Sequence, residues 1–166
     1  MKSVTLEEVK SWKPCWLKDE ARAAKLEEIG RRKERWTALD VLDLPEDEVN
    51  VDDKFWVVLR PELVPEPILH EFACRCAEEG LKLVDSPDPR SVAAVEAKRK
   101  WLKGEITDSE LAAARDAAWA AADAAWAAWA AADAARDATY DAAYYAAQEN
   151  QIKILRELIN TDEKEI

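Results

Sequence analysis

The chain has 166 residues, 49% of them hydrophobic and 36% charged, with a formal net charge of -11. A chain of this length and composition folds around a sizeable core without disulfides or metals, and it is not a disordered segment. Only three Gly argue against a turn-rich β fold, and the negative charge argues against partners that are themselves polyanions.

Thr5-Leu6-Glu7-Glu8 opens the first predicted helix: Thr5 can cap it, and Glu8 completes a capping box. This helix runs to about Trp12 and is stopped by Pro14. A second spans about Lys18 to Ile29, with Gly30 as a left-handed cap. Thr37 starts a short helix, Ala38 to Leu44, ended by Pro45. The polar stretch 45–53 reads as a loop. Asp52 or Asp53 then caps Phe55-Trp56-Val57-Val58-Leu59. That piece has strand-like composition but no obvious pairing partner, so it is assigned to a helix.

Pro65 and Pro67 suit the first turn of a helix from about Glu66 to Glu79, with Leu69, Phe72, Ala73 and Cys76 on its buried face and Gly80 as its end. Asp85–Pro89 reads as a turn. Another helix follows, about Arg90 to Lys103, ending before Gly104. Thr107–Glu110 is a second capping box. From there to about Asn160 there is neither Gly nor Pro, and 22 of the 36 residues from Ala112 to Ala147 are Ala. A single helix of that length would span about 80 Å, and a break is expected near Arg136–Thr139. The predicted fold class is therefore all-α: several short helices (1–103) packed against one long Ala-rich C-terminal helix, continuous or broken (104–166).

On a helical wheel, Trp119, Trp126, Trp129, Tyr140 and Tyr144 share an arc of about 80°, and Asp116, Asp123, Asp137 and Asp141 share a neighbouring arc of about 60°. Asp133 lands among the aromatics. The ring-bearing stripe is either the inner packing edge or an exposed recognition edge, since Trp and Tyr dominate both large buried areas and interface hot spots. These ten residues form the candidate partner-binding surface. Residues 104–166 carry 5 basic and 13 acidic side chains. Such a surface steers in a basic protein partner and turns away nucleic acid and anionic lipid.

Catalytic and metal signatures are weak. His70 and Cys74 stand four residues apart on one helix face, but a zinc site needs two more ligands, and Cys76 points about 200° away from Cys74. A Cys–His nucleophile pair lacks an oxyanion loop and an orienting carboxylate. The aspartates of the Ala-rich segment fit neither an EF-hand loop nor a Glu/His metal bundle. No phosphate-cradling loop, Ser elbow or HExxH occurs, so neither cofactor nor enzyme is expected. The basic run Arg31-Arg32-Lys33-Glu34-Arg35 reads as a solvated patch. Cys15, Cys74 and Cys76 form no disulfide framework, Met1–Val4 runs straight into charged sequence, and no stretch would cross a bilayer. The expectation is a reduced, cytoplasmic compartment.

Three stretches together resemble the immunity-protein-five-like family of bacteria and phages: Trp36–Leu42, Phe55–Arg60 leading into Pro67–Glu78, and Asp88–Val95, followed by the Ala/Trp/Asp-rich segment. His70-Glu71-Phe72-Ala73-Cys74-Arg75-Cys76 is the most distinctive part. The resemblance covers nearly the whole chain. It implies neutralisation of a toxin by direct binding and supplies no catalytic residues. The acidic loop at 45–53 is longer, and the Ala-rich region shorter, than the family pattern. The expected function is an inhibitor or immunity-type binding protein. Alternatives are a phage counter-defence protein that inhibits a host nuclease or sequesters a small signal molecule, and a structural protein whose Ala-rich helix pairs with a second copy. A small metalloenzyme ranks last.

Overall fold

The computed structural model describes residues 2–130 and 137–162, and the side chains of these except 121–130 and 137–144. The fold is all-α. Among the described residues there are eight α-helices, a short 3-10 helix and one two-stranded sheet. Contacts divide the chain into two compact units, Met1–His70 with Leu155–Ile166, and Glu71–Ile154. The compositional boundary at 103/104 falls inside the second unit.

The first unit starts with β1 (Ser3–Val4) and α1 (Leu6–Ser11). The expected capping box is present: Glu8 N–H donates to Thr5 Oγ1 at 3.2 Å, and Thr5 N–H donates to Glu8 Oε2 at 2.6 Å. After α1, Lys13 takes a left-handed conformation (φ 55) that normally favours glycine, and Pro14 prevents the helix from continuing. A 3-10 helix, Cys15–Lys18, leads into α2 (Glu20–Gly30), whose first turn is capped by Asp19 Oδ1 accepting from Ala21 N–H and Arg22 N–H.

Gly30 differs from its expected role. It is the last residue of α2 and does not take a positive φ. A Cβ there would fall 2.5 Å from Leu6 Cδ2 and 3.1 Å from Leu6 Cβ. The glycine lets α1 approach α2. Gly80 was expected to end its helix, but that helix, α5 (Glu66–Lys82), runs past it, and a Cβ at Gly80 would meet nothing within 4 Å. The two glycines should therefore respond oppositely to alanine. Gly30→Ala is expected to cost about 2 kcal/mol by overpacking, and Gly80→Ala to add about 0.5 kcal/mol by lowering unfolded-chain entropy. Urea unfolding of both variants checks the signs.

β2 (Trp36–Thr37) pairs antiparallel with β1, Ser3 opposite Thr37 and Val4 opposite Trp36. Two residues per strand are too few for an alternating pattern to show in sequence. Thr37 then caps α3 (Ala38–Leu42), with Asp40 completing the box. Burial raises the Asp40 carboxyl, but the Lys33 ammonium at 2.7 Å and the Thr37 hydroxyl and N–H outweigh it and hold it at about 2. Because this folded value lies below the ordinary 3.8, the stabilisation is complete above that pH and is lost as pH falls toward 2. With the side chain partly exposed, Asp40→Asn should cost about 1.5 kcal/mol at pH 7. The gap to wild type should close as unfolding is followed from pH 4 down to pH 2.

Asn50, rather than Asp52 or Asp53, caps α4 (Val51–Val58), its Oδ1 accepting from Asp53 N–H at 2.8 Å. The helical assignment of Phe55–Leu59 holds through Val58. The core of the first unit includes Val4, Val9, Ile29, Val41, Val57, Val58, Leu63 and Val64. Leu155 and Ile159, from the far end of the chain, are buried in it too. Arg156 Nη1 donates to Asp43 Oδ1 at 2.6 Å, tying that segment to the end of α3.

In the second unit, α5 (Glu66–Lys82) enters from the first, and α6 (Pro89–Leu102) follows. Asp88 caps α6 with Pro89 in its first turn. Gly104, at φ 72, ends it: Gly104 N–H donates to the Trp101 carbonyl and Glu105 N–H to the Lys100 carbonyl. Thr107 and Glu110 form the expected box before α7 (Asp108–Ala130), and α8 spans Asp137–Asp162. Of the expected break at Arg136–Thr139, residues 137–139 are helical and Arg136 lies outside the described residues.

Candidate functional site

The second unit carries a groove of about 690 Å³ lined by α5, α6 and α7. Its walls are mostly methyl groups: Ala73 and Ala77 from α5, Ala94 and Val95 from α6, Ala112 from α7. Trp119 of α7 also lines it, and that ring is 64% exposed. The alanines make the site: α6 and α7 pack together, and side chains no larger than methyl groups let helices approach closely.

Charged groups surround this apolar strip. Lys98 Nζ sits 3.8 Å from the centroid of the Trp101 ring, whose Nε1–H donates to Asp108 Oδ1 at 2.6 Å. Arg115 pairs with Asp116 at 3.2 Å, both well exposed. Arg99 grips Glu78 with two hydrogen bonds, at 2.9 and 3.1 Å, and also contacts Glu71. Arg75 reaches Glu71 at 2.9 Å. Burial raises the Glu71 carboxyl, but the two arginines more than offset this and keep it below the ordinary range. This forked ion pairing fixes α6 against α5.

The candidate residues are distributed as follows. Asp116 and Trp119 are both exposed on α7, three residues apart. Asp123, Trp126 and Trp129 lie in the helical backbone of α7, and Asp137, Tyr140, Asp141 and Tyr144 in that of α8, but their side chains lie outside the described residues. Asp133 lies wholly outside them. Nine of the ten positions are thus helical in backbone, and of their side chains only those of Asp116 and Trp119 are among the described residues. At Trp119 the ring is an exposed edge.

His70 is half-buried and Cys74 is buried. Burial pushes the Cys74 thiol up, so it is protonated at neutral pH and a poor nucleophile. Among the described residues no three His, Cys, Asp or Glu side chains cluster to hold a metal ion. Of the face expected to be buried on α5, Phe72 alone is fully buried: Leu69 and Cys76 are half-buried, Ala73 is exposed and lines the groove, and Ile68 and Cys74 are buried instead. A helix pattern identifies which residues share a face but not which neighbour covers it.

Sequence reasoning missed the groove. Its signal was present in Ala73 and Ala77, spaced i, i+4 on α5, a spacing that lays two small side chains along one strip.

Fold and site together define an all-α protein with an apolar surface groove framed by charge. No helix of the described residues is long and apolar enough to cross a membrane. No protein-family model matches the chain, and no curated protein or solved structure matches it either.

Proposed function

We propose that the protein works by binding a basic partner protein, as an immunity-type neutraliser, with the alanine-lined groove and Trp119 as the contact. The observation that carries this reading is the exposed Trp119 ring at the groove. A large aromatic left 64% exposed beside a methyl-lined strip loses much water-facing area when a partner seats on it. The net charge of -11 favours a basic partner and speeds its approach. The resemblance to the immunity-protein-five-like family points the same way.

The experiment is calorimetric titration with the basic protein that co-purifies from the native host. Trp119→Ala is expected to weaken binding about tenfold or more, and raising salt from about 50 to about 300 mM should weaken it further by slowing association. Affinity untouched by both changes would remove this reading. Because Trp119 is exposed, the variant should fold like the wild type.

A further inference from the structure

We infer that the first unit carries a binding site for the carboxylate of a small organic acid, with the Arg60 guanidinium at its centre. This inference does not depend on the partner reading, because it concerns the other unit and an anion. Arg60 is half-buried just past the end of α4. Its Cζ lies 4.0 Å from the centroid of the Trp56 ring and 4.7 Å from that of Trp12, and the two indoles are tilted 56° to each other. Its Nε–H donates to the Trp56 carbonyl at 3.2 Å. The backbone is held as well: the Arg60 N–H donates to the Val58 carbonyl, and the Arg60 carbonyl accepts from the N–H groups of Leu63 and Val64, both buried. The guanidinium is thus fixed before any ligand arrives, which lowers the ordering cost of binding.

Two observations set the chemistry of the ligand. The first is what the guanidinium lacks. Every other described arginine except the exposed Arg31 pairs with a carboxylate. Arg60 has only the two rings and one carbonyl. A guanidinium carries five N–H donors, so the four on Nη1 and Nη2 have no acceptor among the described residues. Those nitrogens are open to solvent, because the buried side-chain nitrogen without a partner is Trp16 Nε1 and not one of theirs. Side-by-side N–H groups match the two oxygens of a carboxylate. The second observation is the surroundings. Lys2 Nζ donates to the carbonyl of Pro61, the next residue, at 2.6 Å and pairs with no carboxylate among the described residues. Glu62, the acidic residue nearest to Arg60 in sequence, is exposed and bonds neither cation. The indoles and Leu59, which is 37% exposed, offer apolar surface to the rest of an organic acid. The net charge of -11 opposes a dianion more strongly than a monoanion, which favours a carboxylate over phosphate.

The test is an NMR titration of the full chain, labelled with nitrogen-15, with three probes: benzoate; benzamide, its neutral counterpart of the same shape; and inorganic phosphate. Benzoate is expected to shift the Arg60 Nε–H signal and the indole N–H signals of Trp12 and Trp56 saturably, with a Kd on the order of 1 mM. Benzamide and phosphate should each bind about tenfold more weakly. N-acetylphenylalanine presents its carboxylate as a peptide end does. Tighter binding than benzoate would assign the site to chain ends, and weaker binding to free acids. Arg60→Met keeps an apolar stem against the indoles but removes charge and donors, so it should abolish benzoate binding. Arg60→Lys keeps the charge but not the fork and should weaken it about fivefold. The wild-type titration keeps the inference testable should the variants not fold, because the three signals report the site directly. Benzoate leaving those signals unmoved, benzamide or phosphate binding as tightly as benzoate, or full benzoate binding by Arg60→Met would each overturn the assignment.

Discussion

Leu155→Ala is expected to destabilise the protein by about 3 kcal/mol, the usual cost of emptying a closed leucine site. Leu155 is completely buried, and it belongs to the first unit although 84 residues of the second lie between it and His70. Ile159, one helical turn on, is buried as well, and Arg156 between them is anchored to Asp43. The first unit is therefore closed by a segment remote in sequence. For a chain of this size the loss corresponds to a fall in Tm of about 10 °C. Glu157→Ala, on the exposed side of the same turn, should change stability by no more than about 0.5 kcal/mol. Chemical denaturation of both variants gives the comparison. A Leu155→Ala cost below about 1 kcal/mol would mean that this segment does not complete the core.

Lys54→Ala should be nearly as damaging, at about 3 kcal/mol. Lys54 is only 3% exposed, and its ammonium donates to the backbone carbonyl of Leu44. Truncation removes three buried methylenes, each contributing about 0.8 kcal/mol, and leaves that carbonyl without its donor. Lys54→Met keeps most of the packing and removes a buried charge, so its cost should be only about 1 kcal/mol. Burial lowers the amine from its usual 10.5, with Glu46 and Asp43 nearby acting against the shift. A folded value below the unfolded one means that the charged lysine burdens the folded state at neutral pH. That burden lifts as pH rises through the folded value toward 10.5. The difference between wild type and Lys54→Met should therefore grow in favour of wild type on going from pH 7 to pH 10. A difference independent of pH over that range would exclude this account of Lys54.

Much of the local structure was legible in the sequence because its causes are local. A cap needs a hydroxyl or carboxylate and an N–H two or three residues on, so Thr5 with Glu8, Thr37, and Thr107 with Glu110 could each be read directly. Gly104 could be placed as a helix end for the same reason. Gly30 and Gly80 look identical in sequence but have different roles. One is required by the approach of Leu6 and the other merely tolerated on an open surface, and neither cause is local.

The candidate site divides along the same line. The alanine-rich stretch announced its helices through propensity alone, and the seats of Trp119 and Asp116 on α7 follow from the 3.6-residue repeat. Which side of that helix faces water, and that Ala73 and Ala77 of α5 complete a groove with it, depended on how three helices pack. The same holds for Arg60, whose guanidinium became unusual only once the fold had set it over Trp12 and Trp56.

The sequence by itself determined the all-α class, the main helix starts and the acidic character, because backbone propensity, capping and net charge act over a few residues or over none. Only the tertiary structure decided the division into two units, the burial of Lys54 and Leu155, and the placing of the groove and of Arg60. Those depend on contacts between residues tens of positions apart, and a periodic pattern records which face is apolar without recording what meets it.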